Sequence, residues 1–187
     1  MKKSEMAFVS KKDCIKKLEK LSSHSAKAHD NNMGVYFLPV ERVFVTTNYA
    51  TMIYCDVSLF SPGKDVPEGS YSFLPDGTPV KTGEIPEGKT RRWGEYLEKG
   101  VLDMGTHETY GNIVISKATL EKGINIQELV IKTGKKISMQ ELSYIPDGEY
   151  RVKTPVGNEV TYIFTSVEHS LEDDSRPLVV AVVCYYA

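Results

Sequence analysis

The run Leu178 to Tyr186, L-V-V-A-V-V-C-Y-Y, is the most apolar stretch of the chain and constrains its fold most tightly. It shows no alternation of apolar and polar residues, and its β-branched side chains suit a pleated strand. Such a strand is expected at the centre of a sheet, buried on both faces. Other strands are expected at Met6–Val9, Val35–Pro39, Arg42–Thr47, Met52–Phe60, Tyr71–Leu74, Ile113–Ile115, Tyr150–Lys153 and Glu159–Thr165. The short gaps between the strands from Val35 to Phe60 predict an antiparallel meander. The expected class is α+β: a mostly antiparallel sheet with few short helices.

One helix is well marked. Cys14, Ile15, Leu18 and Leu21 fall on one face of a helix from Ser10 to Leu21, and Lys12, Lys16 and Lys20 on the opposite face, with Lys17 on the flank. The Ser10 hydroxyl is a natural acceptor for a free first-turn amide, and Asp13 places a carboxylate near the positive helix end. The polar stretch Ser22–Asn32 is expected to be loop, with His24 and His29 solvated there rather than holding a metal. Ile124–Lys132 reads as a short helix or a strand, and Trp93–Leu102 as a short helix.

A chain of 187 residues with 41% hydrophobic and 26% charged residues suits one globular domain or two small units sharing a core. The net charge of −2 gives no global attraction to nucleic acid or anionic lipid, so such binding requires a local basic patch. Cys14, Cys55 and Cys184 lie far apart among apolar neighbours and read as buried thiols of a reducing compartment. No stretch reaches the ~18 apolar residues of a membrane span, and a cytoplasmic location is expected.

Two similarities recur along the chain. Phe8–Ile15 and Val114–Leu120 each run from an apolar strand end through Ser and Lys into the start of a helix. Val66-Pro67-Glu68-Gly69-Ser70-Tyr71 matches Ile145-Pro146-Asp147-Gly148-Glu149-Tyr150. Two readings stand: a duplicated strand-helix-strands unit, or a recurring turn. The expected organisation is a first unit over 1–75, an irregular insert over 76–112 rich in Gly and Pro, and a second strand-rich unit over 113–187, together one compact domain.

A strand-helix-strand-strand-strand unit used twice resembles the architecture of DNA sliding clamps. The resemblance rests on Phe8–Phe60, where a lysine-faced helix precedes a meander containing V-F-V-T-T-N. It also rests on Val160–Thr165, which leads through the acidic loop Glu168–Asp174 to Val179–Cys184. A clamp subunit normally carries two or three domains, and this chain has residues for about one. The resemblance implies a non-catalytic protein whose positive helices neutralise duplex phosphates without reading bases. Lys12, Lys16, Lys17 and Lys20 would serve, with Lys117 and Lys122 as lesser candidates; homo-oligomers or replication-type proteins are the implied partners. The competing account of the lysines is a solvated helix face, with Asp13 and Glu19 interspersed.

A second basic patch is Lys89-Thr90-Arg91-Arg92-Trp93, with Tyr96 beyond it. Arg91 and Arg92 beside Trp93 suit phosphate contact and base stacking, although a tryptophan there also serves to plug a core. Enzymatic signals are scarce. His107-Glu108 and His169 are the candidate bases, but no nucleophile elbow, phosphate-binding glycine loop or metal-ligand spacing accompanies them. Asp56 reads as an outward-facing strand residue, and Thr46-Thr47-Asn48 as turn chemistry. No cofactor or metal is expected. The alternatives to DNA association are a protein-interaction or assembly module, of phage or mobile-element origin, and an enzyme with residues assembled from distant positions.

Overall fold

The computed structural model describes residues 6–28, 34–61, 65–85, 93, 94, 97, 107–122, 124–157 and 159–185. Nine strands form one antiparallel sheet: β1 (Val35–Leu38), β2 (Val43–Thr47), β3 (Thr51–Asp56), β4 (Gly69–Phe73), β5 (Pro79–Gly83), β6 (His107–Ile115), β7 (Gly148–Pro155), β8 (Thr161–Ser166) and β9 (Val179–Cys184). The helices are α1 (Lys11–Ala28), α2 (Lys117–Lys122), α3 (Ile124–Thr133) and α4 (Met139–Leu142), with Trp93, Gly94 and Leu97 also helical and a 3-10 turn at Val57–Leu59 among the described residues. The class is therefore α+β, dominated by an antiparallel sheet.

The strand order is β5-β4-β1-β2-β3-β9-β8-β7-β6. The apolar run β9 is interior, between β3 and β8, and all but its last residue is buried. Side chains alternate strictly across it: Val179, Ala181 and Val183 enter one core, Val180 and Val182 the other. The same alternation sends Phe37, Phe44, Ile53 and Phe164 towards the helices, and Tyr36, Val45, Tyr54 and Ile163 to the opposite face. Cys14, Leu18 and Leu21 of α1 and Ile126 and Leu129 of α3 share the first core, so both helices cover the same face of the sheet. Burying Leu18 and Leu21 stabilises that docking by roughly 1.5–3 kcal/mol each.

Two helix-and-meander halves meet where β3 pairs with β9, in the register Thr51 to Val183, Ile53 to Ala181 and Cys55 to Val179. The second half is complete: β6, then α2 to α4, then β7, β8 and β9 in sheet order. Among the described residues no strand precedes α1. Met6–Val9 was expected to be one, but it is not in the sheet; the Val9 amide donates to Glu168 Oε2 at 2.7 Å, and Phe8 is 65% exposed. The edge of β1 is occupied instead by β4, paired from Val35–Tyr71 to Phe37–Gly69.

Both repeats in the sequence have local physical causes. Ser10 Oγ accepts from the Asp13 amide and Ser116 Oγ from the Thr119 amide, each at 3.2 Å, so both serines cap helices alike. Tyr71 donates its hydroxyl to the Pro67 carbonyl, and Tyr150 to that of Pro146, at 2.5 and 2.6 Å. This second pair is a turn-to-strand device; β4 and β7 hold different places in the sheet.

Other expectations shift. Helix α1 continues past Leu21 to Ala28, because Ser22–Ala28 contains neither Gly nor Pro to stop it. Ile124–Thr133 is helical. The stretch expected to be irregular contains β5 and most of β6, which passes through Gly111 at φ +136 by a register shift between Thr109 and Gly111. Trp93, Gly94 and Leu97 are helical.

Candidate nucleic-acid interface

The Ser10 cap starts α1 so that Cys14, Leu18 and Leu21 point at the sheet. Helical geometry then turns Lys12, Lys16 and Lys20 to solvent, and all three are exposed. Four-residue spacing puts successive ammonium groups about 6 Å apart along the axis, with like charges adjacent. That adjacency costs the isolated helix about 0.2–0.5 kcal/mol per pair, a penalty an anionic partner would relieve.

The lysines are not equivalent. Lys17 is half-buried and donates to the Ser143 carbonyl at 3.1 Å. Lys20 reaches Ser143 Oγ at 3.5 Å and lies over the Tyr144 ring, 5.3 Å from its centroid. Lys17 thus meets a carbonyl just past α4, whereas at Ser143 Lys20 touches only the hydroxyl and stays exposed. Asp13 is engaged as well, accepting from the Asp147 amide at 2.6 Å. Burial, followed by the Asp13 charge, raises the pKa of the Asp147 carboxyl. Lys12 and Lys16 are thus the cations of the set that project most fully from α1.

The second half offers less positive charge. Lys117 is exposed at the start of α2, and Lys122 ends that helix. On α3, Gln127, Glu128, Ile131 and Lys132 face out, Ile131 at 82% exposure, and Lys132 lies 5.1 Å from the Tyr110 ring centroid.

Trp93 does not join this surface. It is 6% exposed, its ring lies 5.2 Å from that of Tyr36, and its carbonyl accepts from the Tyr54 hydroxyl at 3.0 Å. It therefore packs on the sheet face opposite α1, where its ring cannot stack on a base bound at the lysines. Lys89, Arg91, Arg92 and Tyr96 lie outside the described residues, as does His29.

The two histidine candidates lie apart. His107 Nε2 lies 3.0 Å from the Thr161 carbonyl oxygen and 3.3 Å from the Thr161 hydroxyl, and exposed His169 pairs through its backbone with Pro177. Neither lines the open groove between the start of α1 and the β4–β5 turn. Among the described residues no group of three or more His, Cys, Asp or Glu could hold a metal, and no helix is long and apolar enough to cross a membrane.

Asp56 departs most from its sequence reading. It is 1% exposed rather than outward-facing, because β3 ends there and turns its carboxylate under the β8–β9 loop. Its Oδ2 accepts from the Ser58 amide at 3.0 Å and the Ser170 hydroxyl at 2.7 Å; its Oδ1 accepts from Arg176 Nε at 3.0 Å. Arg176 also reaches Glu172 at 3.1 Å, which Arg42 holds by two bonds of 2.8 and 2.9 Å. The cluster balances two carboxylates against two guanidinium groups and fixes a loop. In the sequence its trace was Arg176 beside the acidic loop Glu168–Asp174, with Arg42 far away along the chain.

The β2–β3 turn is equally well tied. Thr47 Oγ1 accepts from the Tyr49 amide, and Asn48 Oδ1 accepts from the amides of Ala50 and Thr51, all at 2.7–3.0 Å. Asn48 Nδ2 and the Thr51 hydroxyl then donate to Glu141 of α4. This is the turn chemistry expected of Thr46-Thr47-Asn48, extended by a link to the helix layer.

No protein-family model matches this chain, and neither a curated protein nor a solved structure matches it.

Proposed function

We propose that the chain is a non-catalytic, DNA-associated protein resembling a sliding-clamp domain, which contacts the duplex backbone through the lysines of α1. One observation carries the reading. Two helix-and-meander halves join through β3 and β9 into one sheet, with α1 and α3 on the same face and Lys12 and Lys16 turned away from it. From Lys12 to Lys20 the helix spans about 12 Å. A duplex carries a charge every ~1.7 Å of axis, so three lysines along that span meet phosphates without base selection.

The test is retention of the chain on a duplex across a salt series. Three phosphate contacts give log K falling against log salt with a slope of about −2.7. Lys12→Glu, Lys16→Glu and Lys20→Glu together are expected to abolish retention with folding nearly unchanged, since exposed charges contribute little to stability. Retention unaltered by the triple change would refute the reading.

The second reading is a protein-assembly module. Ile131 favours it, standing 82% exposed on α3 where a duplex-facing helix would carry a cation. Sedimentation across a concentration series separates the two: self-association with no duplex retention favours assembly.

A further inference from the structure

Cys14 of α1 and Cys55 of β3 are free thiols, both 0% exposed, in the core between the helices and the sheet. The strand register runs a row of residues across that end of the sheet. Tyr150 pairs with Ser166, Ser166 Oγ accepts from the Val179 amide at 3.0 Å, and Val179 pairs with Cys55. The start of α1 is pinned over the same row. The Val9 amide bonds Glu168 in the turn that follows β8, and Asp13 accepts from the Asp147 amide just ahead of β7. Cys14, the next residue, faces the sheet there. The two thiols are neighbours: Cys55, followed by burial, raises the pKa of Cys14, and both thiols act on the buried Tyr150 phenol. A pair of thiols facing across a helix–sheet interface differs from two small apolar side chains in one respect, which is that oxidation can join them.

We propose that Cys14 and Cys55 are a redox latch, which oxidation closes into a disulfide that fastens α1 to β3. In the folded chain both thiols are shut off from solvent, so the reaction starts when the first turn of α1 lifts. One thiol loses its proton and attacks a low-molecular-weight disulfide. The S–S bond of that reagent breaks, one small thiol leaves and a mixed disulfide remains on the protein. Redocking of α1 brings the second cysteine onto the mixed disulfide. It gives up its proton, its sulfur displaces the other small thiol, and the bond between Cys14 and Cys55 forms. The protein pair is oxidised by two electrons and the reagent is reduced by two. Cys184 takes no part, because β9 carries Val179 beside Cys55 at one end and Cys184 beside Thr161 at the other.

The experiment incubates the full chain with oxidised glutathione, counts the free thiols and maps the unreduced peptides. Of the three thiols one is expected to remain, with the Cys14 and Cys55 peptides linked. The urea unfolding midpoint should rise in the linked protein, since the bond restricts the unfolded chain, and should return on reduction. Cys55→Ala should form no internal bond. Three free thiols after prolonged incubation, or a bond that includes Cys184, overturns the inference. A linked protein whose midpoint does not rise overturns it too, because the bond would then be at odds with the docked helix. The readout involves no nucleic acid, so its outcome is independent of the DNA reading.

Discussion

Replacing Asp56 by Ala removes the acceptor at the centre of the β8–β9 loop clasp. Three donors lose a partner: the Ser58 amide, the Ser170 hydroxyl and Arg176 Nε. The losses differ in weight. Ser170 keeps Ser58 Oγ at 3.2 Å, and Arg176 keeps Glu172 at 3.1 Å. The amide of Ser58 loses its side-chain acceptor, and a buried donor left unpaired costs about 1–3 kcal/mol. Breaking a buried ion pair by removing one member costs about 3–5 kcal/mol. The Arg176 side chain is 25% exposed, so water offsets part of its loss and the lower end applies. A destabilisation of about 3 kcal/mol is expected. With a urea m-value of about 2 kcal/mol/M, the unfolding midpoint should fall by about 1.5 M. Asp56→Asn keeps the shape but cancels the charge, and should recover only a minority of the loss. A midpoint within about 0.3 M of the wild type would mean that the clasp contributes little, and the reasoning from burial would be wrong.

Two other predictions concern the scaffold. Gly77 sits at φ +89, and an added Cβ would lie 2.8 Å from Lys11 Cε and 3.2 Å from Ile15 Cδ1. Gly77→Ala should therefore cost about 1–2 kcal/mol in chemical denaturation, whereas an unchanged midpoint would show that the turn yields freely. The second concerns alkaline pH. Burial pushes the Tyr150 phenol well above its ordinary value, aided by the neighbouring Cys14 and Cys55 groups. Above pH ~10 the unfolded chain releases this proton while the folded chain keeps it, so stability is full below that pH and declines as pH rises towards the folded pKa. Urea midpoints at rising pH should show the decline, less steeply in Tyr150→Phe; identical slopes in both proteins would exclude Tyr150 as a source.

The parts of this fold that the sequence made legible are those whose signal is local. The β-branched runs of β2 and β9, the aromatic and apolar content of β1 and the Ser10 cap each specify their structure within a few residues. Met6–Val9 was misread because an apolar tetrapeptide looks the same whether or not a strand edge is available to it, and that edge went to β4. The end of α1 was missed because polar serines do not stop a helix that lacks a breaker. Asp56 was misassigned because its partner Arg176 lies 120 residues away, and no local pattern reports such a pair. The lysine face was visible by periodicity alone. Its division was not: Lys17 and Lys20 are drawn to Ser143, which is brought beside α1 only by the finished sheet. For Trp93 the sequence left both a basic surface and a core plug open, and the ring packs on Tyr36 as the second of these.

The junction of β3 with β9 also imposes an order in time. During synthesis β1, β2 and β3 can pair as soon as they emerge, but the free edge of β3 must wait for Val179–Cys184. At ribosomal rates of about 5–20 residues per second, that edge stays open for roughly ten seconds. Over that interval the nascent chain exposes an unpaired, largely apolar strand, which another chain's β9 can fill as well as its own. The pairing that unites the two halves thus cannot form before β9 emerges, and an exchange of strands between copies would occur there.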